Sequence, residues 1–353
     1  NIDLLNLTFN SSLGLITLFK KICNSPTLIS SDSYFQSKIK QSGTDSKYNR
    51  EVDSGKLKVL SELLKSITQI SNKEKVVIVS NYTQTLDIIE KMLHSLSLSF
   101  TRLDGSTPNR QRDSIVSLFN RSPHVFAFLL SAKSGGVGLN LIGASRLILF
   151  DNDWNPAIDL QAMSRIHRDG QKRPCFIYRL VTTGCIDEKI LQRQLMKHSL
   201  SKKFLNDAEN DDNNDHTKDD LFDKEDLKDL FTIQSETISN THDLICSCEG
   251  NGKEMSFEEV DQDISADETF QDLSSFGSWT SAFEAQKMIS HAEKLNEKSK
   301  TNIIKKCLVG YRHIDPNHSN VVHDDVLSRC LNVIKDDITF AFVKPSNKLE
   351  IIL

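Results

Sequence analysis

The sequence lacks several features that would each restrict its class at once. It holds no apolar run of 18 or more residues, so it offers no candidate for a single-helix membrane span. No charged segment followed by an apolar one opens it, so no secretory signal is read. Its seven cysteines, at positions 23, 175, 185, 246, 248, 307 and 330, are scattered through 353 residues. That spacing excludes a dense secreted disulfide scaffold and favours a reducing compartment. Also missing are a G-x-x-x-x-G-K-[ST] phosphate loop and an acidic D-E-x-H box. Gly55-Lys56 invites a phosphate-loop reading, but Arg50 stands where the first glycine would be and no strand precedes it. The chain opens on Asn1 instead of Met, and the expectation is a fragment of a longer protein.

What is present is a strong asymmetry of charge. The formal net charge is -5, with 38% hydrophobic residues. From Ser54 to Leu205 there are 22 Lys/Arg against 12 Asp/Glu, so the remainder is strongly acidic. A basic lobe with acidic flanks is the electrostatic footprint of a nucleic-acid-binding domain. Length predicts two domains.

One stretch, Leu129 to Arg179, organises the chain. The apolar run Val125 to Leu130 predicts a buried strand, and Ser131 breaks it. A loop of small residues, Ser134 to Gly138, follows. A second strand, Arg146 to Phe150, ends in Asp151-Asn152-Asp153. A helical stretch carrying Gln161, Arg165, His167 and Arg168 comes next, and a third strand, Cys175 to Val181, closes the unit. Glycine lets backbone N–H groups approach a phosphate, and a following helix adds its positive end. If the segment is helical, Arg165 and Arg168 share one face. Paired guanidinium groups suit phosphate oxygens, in the manner of an arginine finger.

The motifs SAKSGGVGLNL, DNDWNP and QAMSRIHRDGQ, from Ser131 to Gln171, resemble motifs five and six of superfamily-two helicase motors. The D-W-N-P and R-x-H-R-x-G-Q forms point to the SWI/SNF-like DNA translocases. Asp169 and Thr241 to Cys248 resemble the homologous-recombination repair branch, nearest its B-type, meiotic paralogues. The resemblance spans roughly Leu13 to Cys248.

It implies an α/β fold: a RecA-like helicase C-terminal lobe, with a parallel sheet and helices on both faces, then a mainly helical, partly disordered acidic tail. The divisions expected are a helical lead-in at 1–53, the lobe with a brace helix at 54–205, and an acidic linker with a small tail at 206–353. The implied activity is ATP-dependent translocation on double-stranded DNA, with ATP and Mg²⁺ held mainly by a first lobe outside this chain. The implied setting is nuclear, beside a strand-exchange recombinase and with no membrane partner. Arg165 and Arg168 are the implied catalytic arginines. Gly136, Gly138 and Gln161 are the implied nucleotide contacts. Ser131, Lys133, Asn81, Tyr82, Arg102, Trp154 and Asn155 are the implied DNA contacts. A chromatin-remodelling ATPase of the same superfamily, and a non-catalytic DNA-binding or regulatory module, remain as alternatives.

Elsewhere the reading is local. Leu13 to Ile22 forms an amphipathic helix that Pro26 ends. Thr83 is an N-cap for the helix after strand Lys75 to Ser80, and Pro108 suits a first helical turn. Thr183 to His198 is the brace helix. Asn206 to Asp226 is an acidic run expected to be disordered. His242, Cys246 and Cys248 offer imidazole and thiolate ligands for zinc, although C-x-C is an unusual spacing. Cys307, Cys330, His313 and His323 are the candidates for a fourth ligand. Helices at Phe283 to Leu295 and Val326 to Ile334, and a strand at Ile338 to Val343, complete the tail.

Overall fold

The computed structural model describes residues 9–29, 54–71, 73–135, 138–207, 224–255, 297–319, 322–344 and 348–352. Helix α1 (Phe9–Asn24) leads into a short 3-10 turn (Pro26–Ile29). The lobe then alternates α2 (Gly55–Ile70), β1 (Val76–Ser80), α3 (Thr83–Ser95), β2 (Phe100–Leu103), α4 (Asn109–Arg121) and β3 (Ala127–Ser131). It continues with β4 (Arg146–Leu149), α5 (Pro156–Met163), β5 (Cys175–Arg179) and the brace helix α6 (Ile186–Asp207). The tail supplies α7 (Lys224–Phe231), α8 (Asn240–Ile245), β6 (Asn251–Glu254), α9 (Glu297–Cys307), β7 (Arg312–Ile314), α10 (Asp325–Val333), β8 (Ala341–Lys344) and β9 (Lys348–Ile352). Among the described residues no helix is long and apolar enough to cross a membrane. The helix expected at 283–295 and most of the acidic run lie outside the described residues.

Strands β1, β3 and β4 are buried along their whole length, which is why they read as continuous apolar runs. Alternation still sorts their side chains between two layers. Val76 and Ile78 join the core under α2 and α3, with Leu60, Leu63 and Leu86. Val77 and Val79 join the opposite core with Phe119 of α4 and Met163 of α5. The strand order is β2-β3-β1-β4-β5-β9-β8-β7-β6. Every pair from β2 to β9 is parallel, and the pairs beyond β9 are antiparallel. Crossover helices therefore gather the loops after β1, β2, β3 and β4 at one edge, where α/β sheets bind ligands.

The tail does more than the sequence suggested. In place of the expected helices plus one strand, it adds β6 to β9 to the same sheet. A buried ionic cluster fastens it there. Asp324 caps α10 by accepting from the Val326 and Leu327 amides, both at 3.3 Å. The same carboxylate takes Arg146 Nη1 at 2.9 Å and the Tyr178 hydroxyl. Arg146 also pairs with Glu74.

Two local expectations shift. Tyr82, not Thr83, is the N-cap of α3, and its side chain makes no capping bond. Pro108 occupies the N-cap, so α4 starts at Asn109. Ser54 caps α2 by accepting from the Leu57 amide.

Substituting Asp324→Ala leaves the Arg146 charge and the Tyr178 hydroxyl without a buried partner and uncaps α10. The expected loss is about 3–5 kcal/mol, read as a lower urea midpoint at neutral pH. An unchanged midpoint would mean the tail is held by apolar packing alone.

Candidate functional site

The site is built where β1, β3 and β4 end. The centre of its frame is Asp151, a carboxylate with 1% exposure. It accepts from the Ser80 hydroxyl, the Asn81 amide (2.9 Å), Asn81 Nδ2 (2.8 Å) and Asn24 Nδ2 (2.8 Å). Asn24 ends α1, so the lead-in helix and the tips of β1 and β4 converge on one charge. Asn81 is thus turned inward. Tyr82 lies beside it with Lys20 Nζ 5.8 Å from its ring centre. Burial, then Asp151 and Asp153, push its phenol pKa far above the ordinary range.

The loop after β4 is braced from several sides. Lys20 Nζ donates to the Asn152 carbonyl at 2.6 Å. Lys56 Nζ donates to the Phe150 carbonyl at 3.0 Å and pairs with Asp187. Asp159 of α5 accepts from the Asp153 amide, from Arg179 and from Gln194 Nε2 (2.7 Å). Burial raises the Asp159 carboxyl pKa to about 6, against the lowering effect of Arg179. Asn155 is the N-cap of α5, accepting from the Ala157 amide. Trp154 packs against the cluster of Ile16, Ile186, Ile190 and Leu230, shared by α1, the brace and α7.

The arginines are placed differently from expectation. Helix α5 ends at Met163, so Arg165 and Arg168 do not share a helix face. They follow it in a tight turn that returns to the loop after β3. The Leu141 amide donates to the Arg165 carbonyl at 3.0 Å. Arg168 Nη1 donates to the Gly138 carbonyl at 2.8 Å. Arg165 is 4% exposed, and burial, then the charge of Arg168, lower its pKa. Like charges crowded together in a partly desolvated place favour binding of an anion. Gln161 is on α5 and exposed, and Lys133 is exposed in the 3-10 turn after β3. Ser131 is buried at the end of β3. Gly138 has a φ of +39°, in the left-handed region. Gly136 lies outside the described residues.

Two residues missed by the sequence reading hold this loop. Gln171 Nε2 donates to the carbonyls of Ile142 (3.3 Å), Ala144 (2.7 Å) and Ile166 (3.0 Å). It therefore fixes the arginine turn against the loop. Arg112 Nη1 donates to the Ser134 carbonyl at 3.0 Å, and its Nε to the Thr107 carbonyl. Gln171 stands inside the quoted motif, but nothing in its sequence position reveals a backbone role. Arg102 is not open to an anion: Asp87, Glu90 and Asp104 hold it at 2.7, 2.8 and 2.8 Å.

A second cluster lies in the tail. Glu188 of the brace accepts from the Asn240 amide (3.1 Å) and the Thr241 amide (2.7 Å), fixing the start of α8. Helix α8 carries His242, and ligand atoms of His242, Cys246, Cys248 and His313 all lie within 4.8 Å of one another. His242 Nε2 is 3.3 Å and His313 Nδ1 3.5 Å from Cys248 Sγ. Burial lowers both imidazole pKa values, His313 to about 4, so both rings are neutral donors at pH 7. His313 is the fourth member. Cys330 is buried in the α2–α10 core, Cys307 donates to the Leu195 carbonyl, and His323 is exposed.

Gln171→Ala should free the loop from the arginine turn. Removing donors from three carbonyls costs on the order of 1–2 kcal/mol, or about tenfold. Amide hydrogen exchange at Leu141 should speed up by that factor while β1 is unaffected. Unchanged exchange at Leu141 would show that another contact holds the loop.

Residues 55–170 match the helicase conserved C-terminal domain. The DNA repair and recombination protein RDH54 of Saccharomyces cerevisiae (strain ATCC 204508 / S288c) is 60% identical over 344 residues, 98% of this chain and 36% of that protein. The DNA repair and recombination protein RAD54B of Gallus gallus is 47% identical over 257 residues, 67% of this chain and 27% of that protein. The solved SWI2/SNF2 ATPase core of Sulfolobus solfataricus in complex with dsDNA is 25% identical, with a TM-score of 0.48, over 66% of this chain and 45% of that one. The chain spans a little over a third of the length of the curated relatives it matches first.

Proposed function

We propose that this chain, a member of the SWI2/SNF2 helicase family on its RAD54- and RDH54-related branch, is the second motor lobe and tail of an ATP-dependent double-stranded DNA translocase. Its setting is homologous-recombination repair in the nucleus, alongside a strand-exchange recombinase. The observation that carries the reading is the Arg165–Arg168 pair, whose crowded positive charge sits in a turn fastened to the small-residue loop after β3. ATP and Mg²⁺ fit this arrangement as a second half-site: the cationic turn is here, while a phosphate loop and an acidic box are not among this chain's motifs.

In that reading Arg165 and Arg168 stabilise negative charge on the transferring phosphoryl group. Gly136 and Gly138 give the loop backbone room to approach a ligand, and Gln161 faces the other lobe. Lys133, exposed beside Ser131 at the end of β3, takes a DNA phosphate. Asn81, Tyr82, Trp154 and Asn155 shape the neighbouring loops, and Asn81 and Trp154 act through packing and hydrogen bonds. Arg102 joins a DNA contact only by leaving its three carboxylates. Phosphate contacts carry no sequence information, so binding is sequence-tolerant and salt-sensitive. Recombinase capture as against nucleosome sliding separates this reading from a chromatin remodeller.

The tail cluster of His242, Cys246, Cys248 and His313 suits Zn²⁺, since it offers two soft sulfurs and two neutral imidazoles. There the metal would join α8 to β7 and serve structure.

Two outcomes are expected. In a full-length motor, Arg168→Ala slows DNA-stimulated ATP turnover by about 10³-fold, while residues 1–353 alone show none. Near-normal turnover of the variant would reduce Arg168 to a loop anchor. Elemental analysis of the purified chain should find one zinc per molecule, lost in Cys248→Ala together with a fall in thermal midpoint. A metal-free chain of unchanged stability would rule out the zinc site.

A further inference from the structure

Neither the arginine turn nor the tail cluster uses Cys23 and Cys185. They are 162 positions apart in sequence, yet their sulfurs are 3.5 Å apart. Cys23 lies in the last turn of α1, and Cys185 immediately precedes the 22-residue helix α6. Both backbones are pinned in place. The Thr182 hydroxyl donates to the Cys23 carbonyl at 3.3 Å. Next to Cys23, Asn24 is fixed on Asp151. On the other side, Gly184 has a φ of +63°, and a Cβ there would meet the Gln234 carbonyl oxygen at 2.0 Å. The Glu188 and Lys189 amides donate to the Cys185 carbonyl at 3.1 and 3.2 Å. Both cysteine residues are partly exposed.

We propose that Cys23 and Cys185 form a peroxide-responsive dithiol whose disulfide ties α1 to the start of the brace helix. A disulfide places its sulfurs about 2.05 Å apart, so closing the pair draws the two sulfurs together by about 1.5 Å. Cys185 is the attacking sulfur. It stands at a helix N-terminus, which favours thiolate, and it accepts a hydrogen bond from Cys23. That bond lowers the Cys185 pKa and raises that of Cys23, which burial raises further. In the resting state the Cys185 thiol donates to the Thr182 carbonyl at 3.1 Å.

The Cys185 thiolate attacks one oxygen of hydrogen peroxide. The O–O bond breaks, and hydroxide leaves and takes a proton to become water. The sulfenic acid that results is attacked by the Cys23 sulfur. The S–O bond breaks, hydroxide leaves with the Cys23 proton as a second water, and the S–S bond forms. Two thiols have lost two electrons and one peroxide has gained them. A reducing thiol pool restores the pair.

The test treats the purified chain, residues 1–353, with hydrogen peroxide, quenches with catalase, alkylates free thiols and maps peptides without reduction. The expected result is a linked peptide joining Cys23 to Cys185, with a thermal midpoint several degrees higher that dithiothreitol reverses. Cys185→Ser should leave Cys23 alkylatable. Cys23→Ser should leave Cys185 as a sulfenic acid trapped by dimedone. The proposal is overturned if both wild-type thiols stay alkylatable at a peroxide dose that oxidises Cys246 or Cys248, or if either links only to another cysteine. The wild-type peptide map decides the matter even where a variant folds poorly. It reads a bond and not ATP turnover, so it stands or falls apart from the motor assignment.

Discussion

A carboxylate removed from water must have its acceptor capacity filled by donors, and Asp151 meets that demand by drawing three segments together. Ser80 and Asn81 come from the end of β1, and Asn24 comes from the end of α1. The arrangement of the β4 loop follows from this closure. The β4 loop is held at its base, so Lys20, Lys56 and Gln194 can reach its carbonyls. Helix α5 then starts in one place, capped by Asn155, and its short length delivers the arginine turn back onto the β3 loop. The lead-in helix is consequently part of the lobe's frame, although it precedes the domain that the family model spans.

The cationic turn illustrates how a fixed geometry is kept without a rigid helix under it. Arg165 is buried and Arg168 exposed. Between them they offer one guanidinium anchored in the fold and one at the surface. Gln171 and Arg112 act on backbone carbonyls, which any sequence in the loop would present. Position is thus enforced through the main chain.

The parallel strands were legible because strands buried on both faces leave unbroken apolar runs, as Val76 to Val79 does. Loops at their carboxyl ends were legible for the same reason. The arginines' local structure was not, because an eight-residue helix gives too few turns to distinguish its end from its middle. Tyr82 took the cap because its backbone geometry, not a side-chain oxygen, starts α3. Of the tail strands only β8 was legible, within Ile338 to Val343; β6 is Asn251–Glu254, a polar edge segment without alternation. Of the tail cluster, His242, Cys246 and Cys248 were readable as near neighbours in sequence, but His313 was only one of four candidates for the last place, because it arrives through the β6–β7 pairing. Long-range partners such as Asp324 for Arg146 leave no local signature at all.

The ladder between β5 and β9 joins residues 175–179 to residues 348–352. Such a pairing closes a very long loop, and contacts of that separation form late and slowly. Until it forms, β5 presents a bare parallel edge with unpaired amides and carbonyls, the surface most prone to intermolecular pairing. The boundary of the conserved domain is therefore not the boundary of the cooperative unit. A chain shortened to the lobe would keep the site's loops and lose the strand that covers the β5 edge against intermolecular pairing.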